Sequence, residues 1–407
     1  MPPSIDWIEG LINQAPTYGL VWFIALKCPL MSLEKRQKVV VALSGGVDSG
    51  VAALLLKDQG YEVHGVHLKL SDQNYNKCCD LSSFKKVVAL CRHLDIPLTV
   101  LDYSADFKEL VFNRFIADYE AGLTPNPCIR CNEYLKIGRL LEWSKEQGFD
   151  YLATGHYAKI QNVGVDRIEV DHIGSTLQSD RGESIPRLFM ATDKKKDQSY
   201  FLWTLKQDQI SSLIFPLGEM NKPEVRKVAS ASSLPMKDAA ESYDVCFIPD
   251  DDTKSFLQKH LSGAKLQPGE VVNTTGAVIG SHIGLPLYTI GQRHGFITNN
   301  KTANSQQQYV ISKNVAANRL VVGSREDASI SILSVQDFNF LKDPLEIKDL
   351  KVRIRHLGEF VKVGEIRKIG GIIEVTLETP FFGVAAGQSA VFYFREELIG
   401  GGVITFK

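Results

Sequence analysis

From Lys38 onward, short β-branched apolar runs alternate with stretches of helical period, the pattern of strands and crossover helices around a parallel sheet. Val39 to Leu43 is unbroken apolar, as in a strand buried on both faces. The pattern then predicts a helix from about Asp48 to Gln59 stopped by Gly60, a strand over Val63 to Leu68 and a helix over Leu81 to His93. Strands are expected at Leu98 to Tyr103 and Tyr151 to Thr154, and helical periodicity runs through Phe107 to Tyr119 and Glu133 to Lys145. Together these elements define a doubly wound, parallel-sheet α/β domain.

Residues 162–186 are polar and rich in Asp, Gly and Ser, the texture of an irregular excursion or hairpin. Residues 221–261 read as mostly helical, with Pro223 at a first-turn position behind Lys222. Past Pro268-Gly269, short strands at Val271–Val272, Ala277–Ile279, Leu287–Ile290, Tyr309–Ile311 and Arg319–Val322 are separated by Gly and Asn turns. Residues 331–407 continue as glycine-punctuated Val/Ile-rich strands, which predicts a small C-terminal β-barrel. The reading divides the chain into an N-terminal extension (1–37), the α/β domain (38–220), a small central domain (221–330) and the barrel (331–407).

With 407 residues, 44% apolar and 23% charged, the chain has material for two or three packed domains, which excludes disordered, collagenous and coiled-coil classes. Lys plus Arg total 46 against 47 for Asp plus Glu, so a polyanionic partner must be held by a local basic face. Lys351, Arg353, Arg355, Lys362, Arg367 and Lys368, against Glu359 and Glu365, offer one. The apolar run Gly19 to Leu26 is stopped by Lys27 and Pro29, short of the ~20 residues a membrane helix needs. Residues 1–36 carry Asp6 and Glu9 and lack the basic n-region and small-residue cleavage site expected of a secretory signal. Seven cysteines, odd and sparse, point to a reducing compartment, so a cytoplasmic protein with no membrane partner is expected.

Immediately after the first strand stands Ser44-Gly45-Gly46-Val47-Asp48-Ser49, opening the first helix. Two glycines let the backbone approach an anion closely, and the helix start presents free amides and a positive dipole end. A Walker loop would end in Gly-Lys-Ser/Thr, and this loop has no such lysine. Asp48 is a candidate Mg²⁺ ligand, with Ser44 and Ser49 as donors. The string VVVALSGGVDSGVAALLL resembles the loop of the ATP pyrophosphatases. That resemblance implies adenylation of a substrate oxygen with release of pyrophosphate.

The second chemical feature is Thr124-Pro125-Asn126-Pro127-Cys128-Ile129-Arg130-Cys131-Asn132. Two prolines stiffen the approach, and Cys131 is expected just ahead of a helix starting at Glu133, a position that favours thiolate and suits a nucleophile. Read as metal ligands, Cys128 and Cys131 are half a zinc site, but no second CxxC completes it. A third thiol, Cys246, lies in Asp244-Val245-Cys246-Phe247-Ile248-Pro249; Cys78 and Cys79 read as loop residues, and Cys91 as core.

With TPNPCIRCN, ATGHYA (153–158), KKDQSYFLW (195–203), FPLGEMNKPEVR (215–226), DVCFIP (244–249) and YTIGQRHG (288–295) in this order, the chain resembles the tRNA-specific 2-thiouridylases over nearly its whole length from Lys38. The resemblance implies an ATP pyrophosphatase domain, a central domain and a β-barrel, acting on the wobble uridine of tRNA. Position by position, it implies a persulfide at Cys246 and a second catalytic thiol at Cys131, which could release sulfide and leave a disulfide between them. ATP contacts are implied for Ala42, Leu43, Ser44, Gly45, Gly46, Val47, Asp48, Ser49, Leu68 and Gly155. Asn126, Pro127 and Cys128 match the target-base motif, in which the family often carries aspartate at the third position. Further tRNA contacts are implied for His156, Lys196, Asp197, Gln198, Arg355, His356 and Gln388. ATP, Mg²⁺, tRNA and a sulfur-donor protein, such as a cysteine desulfurase or relay protein, are the expected cofactors and partners. An alternative is an iron–sulfur cluster held by Cys128, Cys131 and Cys246. Two other readings compete: a small-molecule synthetase, which has no need of Cys131 and Cys246, and a non-enzymatic RNA-binding scaffold, which has no need of an intact phosphate loop.

Overall fold

The computed structural model describes residues 36–71, 81–164, 184–239, 245–261, 263–298 and 307–406. Residues 1–35 of the expected N-terminal extension, with Cys28, and also Cys78, Cys79, Asp244 and residues 165–183 of the polar excursion lie outside these. Five parallel strands form the first sheet in the order β3-β2-β1-β4-β7: β1 Lys38–Ala42, β2 Glu62–Lys69, β3 Leu98–Asp102, β4 Tyr151–Ala153 and β7 Leu213–Ile214. In β1, Val39 and Val41 enter one core, with Val51, Leu56 and Leu90, while Val40 enters the opposite core, with Leu135 and Leu152. All three valines are fully buried, as the unbroken apolar run predicts.

Helices α1 (Val47–Asp58) and α2 (Leu81–Leu94) follow β1 and β2. Buried residues circle α1 rather than lining one stripe, because a later helix, Lys222–Ala231, packs on it and sends Val225 and Ala229 into the same core. The strand order reverses between β1 and β4, a topological switch point where open α/β sheets bind ligands outside the carboxyl ends of their strands. Residues 44–49 leave β1 there.

Two sequence expectations need correction. The helix expected from Glu133 starts at Pro127 and continues through three consecutive segments, Pro127–Cys131, Asn132–Arg139 and Leu140–Glu146, the middle one with wide turns. Asn126 supplies the start signal: its Oδ1 accepts the Cys128 backbone N–H at 3.2 Å, and Pro127 takes the first position, where no N–H is needed. Leu287–Ile290 is a loop rather than a strand, since Tyr288 turns inward to donate its hydroxyl to the Gly295 carbonyl at 2.7 Å and Gly291 adopts φ +84°. The described part of 221–261 is mostly helical, as expected, at Lys222–Ala231, Pro249–Asp251 and Thr253–His260.

The polar excursion is bounded by a hairpin, β5 Ala158–Gly164 with β6 Ser184–Met190. A second sheet, in the order β10-β9-β8-β12-β11, is built from Ile297–Thr298, Val278–His282, Gly269–Val272, Arg319–Gly323 and Tyr309–Asn314. The expected C-terminal barrel closes through β13-β16-β15-β14-β17-β18, with β18 (Glu397–Thr405) returning to β13 (Ser329–Phe340). Its β14 is Lys351–Arg353, β15 Phe360–Ile369, β16 Ile372–Phe382 and β17 Ser389–Phe394. Strand β6 adds to β18 through Phe189 and Glu397, so the α/β domain's hairpin extends the barrel wall. In β17, Ala390 and Phe392 fill the barrel while Val391 and Tyr393 enter the α/β core. No side of β17 is left for water.

Candidate active site

The phosphate loop is held open by its own serines. Ser49 Oγ donates to the Gly46 carbonyl at 3.1 Å and accepts the Ser44 N–H at 3.2 Å. Gly45 turns at φ +81°, and a Cβ there would lie 2.6 Å from the Ser83 carbonyl oxygen, so no larger residue fits. Leu43 is fixed from both sides, its N–H on the Val66 carbonyl at 2.7 Å and its own carbonyl accepting His67 Nδ1–H at 2.8 Å. Burial pushes His67 below its usual value, against the opposing pull of its bond to the Leu43 carbonyl. Ala42 ends β1, and Leu68 lies buried near the end of β2.

Asp48 ties the loop to distant parts of the chain. Its Oδ1 accepts Lys222 Nζ at 2.6 Å and the Tyr157 hydroxyl at 2.8 Å. Gly155 makes this approach sterically feasible, since a Cβ there would sit 2.8 Å from the Ser49 nitrogen. Both partners of Asp48 are fixed by the segment 193–198. Tyr157 exchanges backbone bonds with Gln198, through Gln198 Oε1 at 3.0 Å and the Gln198 N–H at 2.8 Å, and the Lys222 N–H donates to Asp193 Oδ2 at 3.0 Å. Lys222, Tyr157 and Asp193 are absent from the sequence-derived site. Two of them lie inside strings that carried the resemblance, ATGHYA and NKPEVR, but their meeting at Asp48 spans 109 and 174 positions.

The cysteine segment differs from expectation in one respect: Cys128, not Cys131, occupies the helix start. Cys131 ends the first helical segment, 4% exposed in the core that also holds Phe107, Phe115 and Phe247. Cys246 is half-buried and packs against that same core, with its neighbour Phe247 edge-on to Phe107 and Phe115 at 5.5 and 5.3 Å. Cys128 is half-buried. Among the described residues, no group of three His, Cys, Asp or Glu is arranged to hold a metal ion, so the three thiols do not fit a cluster site.

The implied tRNA contacts separate into two kinds. Asp197 is 0% exposed; its carboxylate takes Arg353 Nη1 at 3.0 Å, Ser199 Oγ at 3.0 Å and the Ala191 N–H at 3.0 Å. Within the segment matched to a tRNA-contacting loop, the Asp197 carboxylate thus braces the loop from inside. His356 reaches the same loop, Nε2–H donating to the Asp197 carbonyl at 2.9 Å while its ring packs on Phe201. Arg355, by contrast, is exposed and pinned to the Gly383 carbonyl, and Gln388 Nε2 donates to the Thr124 carbonyl at 2.7 Å. Arg355 and Gln388 line an open cleft of about 420 Å³ that also takes in Thr289 to Gln292 of the central region. Asn126 and Pro127 border a separate cavity of about 170 Å³ with Arg114, Arg130 and Asp337.

His156 packs edge-on against Phe215 and shares a 2.7 Å hydrogen bond with Thr154 Oγ1; burial, with Lys136 adding to it, pushes its pKa down to about 3. Because the unfolded imidazole titrates near 6.5, the unfolded chain takes up this proton first as pH falls. The contribution of His156 to stability is therefore lost progressively from about pH 6.5 down toward 3. His156→Gln is expected to flatten that part of the stability curve in chemical unfolding. An identical curve for the variant would show that the imidazole titrates freely.

A glycine-rich loop at the switch point of a parallel sheet, in a chain that ends in a β-barrel, defines the class: a nucleotide-binding α/β protein. Three family models match in succession: the tRNA methyl transferase HUP domain over 37–250, the tRNA methyl transferase PRC-barrel domain over 254–324 and the aminomethyltransferase beta-barrel domain over 330–404. The chain is 38% identical to a tRNA-specific 2-thiouridylase of Syntrophus aciditrophicus over 91% of its length and 93% of that protein's. It is also 38% identical to the enzyme of that name from Dehalococcoides mccartyi, covering 91% of this chain and 98% of that one. The chain belongs to the tRNA-specific 2-thiouridylase family.

Proposed function

We propose that this chain replaces the 2-oxygen of the tRNA wobble uridine by sulfur, using ATP. The observation that carries the reading is the intact Ser44–Ser49 loop at the switch point, in a chain that also presents Cys131 and Cys246 on one core. The loop amides and the start of α1 receive the phosphates of ATP. The uridine 2-oxygen bonds to the α-phosphorus while the bond to the β-phosphate oxygen breaks, so the poor leaving oxygen departs later as AMP. Cys246 carries the sulfane sulfur. Attack of the Cys131 thiolate on the Cys246 sulfur forms the disulfide and frees sulfide, which adds to C2 and expels AMP. An external thiol reduces the disulfide, and a sulfur-donor protein reloads Cys246.

Asp48 is the carboxylate that would hold Mg²⁺ together with phosphate oxygens, the usual ligand set for this ion at nucleotides. Its bonds to Lys222 and Tyr157 keep it oriented into the loop. We derive no step through an iron–sulfur cluster, because the thiols lack the arrangement for one. No helix among the described residues is long and apolar enough to cross a membrane. Lys196, Arg355 and Gln388 are assigned to tRNA, with Asp197 and His356 fixing the loop behind them.

Incubating persulfide-loaded protein with ATP and tRNA tests the reading. AMP, pyrophosphate and 2-thiouridine are the expected products; ADP as the main nucleotide product would overturn it. Alanine at Lys196, or at Arg355 and Lys351 together, should weaken tRNA binding and lower its salt slope by about one unit for each phosphate no longer neutralised, with ATP binding intact. An unchanged slope would show that these side chains do not meet tRNA phosphates.

A further inference from the structure

The loop lacks the lysine that a Walker loop places on the terminal phosphates, yet in the folded protein a lysine from a later helix reaches the loop's aspartate. Lys222 Nζ lies 2.6 Å from Asp48 Oδ1 and 5.8 Å from the Tyr157 ring centre, and its side chain is only 10% exposed. Its backbone is fixed. Lys222 opens the helix Lys222–Ala231, where Asn221 and Glu224 cap one another reciprocally, Asp193 holds the Lys222 N–H, and Val225 and Ala229 anchor the helix on α1. A buried ion pair is poor evidence for a purely stabilising role, because two apolar side chains in its place are often as good. A cation beside a phosphate loop has a use that a structural bridge does not explain.

We propose that Lys222 supplies the phosphate-binding cation of the adenylation step, its Nζ passing from Asp48 to the pyrophosphate that leaves. The assignment rests on the adenylation reading above. Asp48 keeps the Tyr157 hydroxyl at 2.8 Å when the lysine turns away, so its carboxylate is not left without a hydrogen bond. The lysine's four-carbon stem allows that swing. In the step itself the uridine oxygen forms its bond to the α-phosphorus, the electron pair of the broken bond leaves on pyrophosphate, and Lys222 remains an ammonium throughout. Segment 193–198 fixes both Lys222 and Tyr157, so the cation is held from the side assigned to tRNA.

The test titrates inorganic pyrophosphate, ATP and AMP into the full chain by calorimetry. Lys222→Met should weaken pyrophosphate and ATP binding by about tenfold or more while AMP binding shifts by less than about twofold, and Lys222→Arg should recover part of the loss. Asp48→Asn, which releases Lys222, should tighten pyrophosphate binding when Mg²⁺ is left out. If Lys222→Met does not fold, Asp48→Asn/Lys222→Met removes both charges and carries the same comparison against Asp48→Asn. Unchanged pyrophosphate affinity without Lys222, or equal losses for pyrophosphate and AMP, would overturn the assignment. A wild-type chain that binds none of the three would instead overturn the adenylation reading.

Discussion

Serine at Cys246 and serine at Cys131 are each expected to lower catalytic thiolation by roughly a thousandfold or more, since each removes a nucleophile that oxygen does not replace. The two variants should differ in what they retain. Cys246→Ser should carry no sulfane sulfur after incubation with a persulfide donor, whereas Cys131→Ser should load normally and stall. Both substitutions are nearly isosteric, and Cys131 sits in a packed core at 4% exposure, so folding should survive each change. Cys128 stands at the helix start, and Cys128→Asp should retain substantial activity, because it restores an acid–base group there and spares both transfer thiols. Mass analysis of tRNA nucleosides and cyanolysis of the bound sulfur read the two stages separately. Sulfane sulfur retained by Cys246→Ser would move the persulfide to another thiol.

The parallel sheet was legible because its strands are buried on both faces and so leave unbroken apolar runs such as Val39 to Leu43. The phosphate loop was equally legible, since six consecutive residues specify it. Local chemistry misled where a cap outweighed periodicity: Asn126 and Pro127 start a helix six residues ahead of the apolar pattern at Glu133. Tyr288 looked like a strand residue because it is apolar and β-prone, but its hydroxyl bond to Gly295 and the left-handed Gly291 make a loop. The burial of Asp197 was not legible, because nothing local distinguishes a buried aspartate from an exposed one. Its partner, Arg353, stands 156 positions away on a barrel strand. The same distance hid Lys222, whose role depends on a loop that precedes it by 174 positions.

Replacing Arg353 by methionine is expected to destabilise the protein by about 3–5 kcal/mol, the usual penalty for stranding a buried charge by removing its partner. The reason lies in how completely the pair is enclosed: the side chains of Arg353 and Asp197 are 6% and 0% exposed. The guanidinium lies 4.1 Å from the Phe360 ring centre and 5.6 Å from that of Tyr393, so no water replaces the lost cation easily. Arg353 Nε has no partner among the described residues, so the site is tuned to the ion pair rather than to full satisfaction of the guanidinium. The Asp197 carboxylate would keep the Ser199 hydroxyl and the Ala191 N–H, which limits the damage without neutralising the charge. Arg353→Met/Asp197→Leu should recover most of the stability, because an apolar pair removes both desolvation penalties. It should not recover tRNA affinity to the same extent, because the Asp197 carboxylate also takes the Ser199 N–H and so shapes the loop that carries Lys196. Urea midpoints of the single and double variants, set beside tRNA titrations at fixed salt, separate the two effects. A single-variant loss below about 1 kcal/mol would mean that the pair is screened like a surface bridge and does not brace the loop against the barrel.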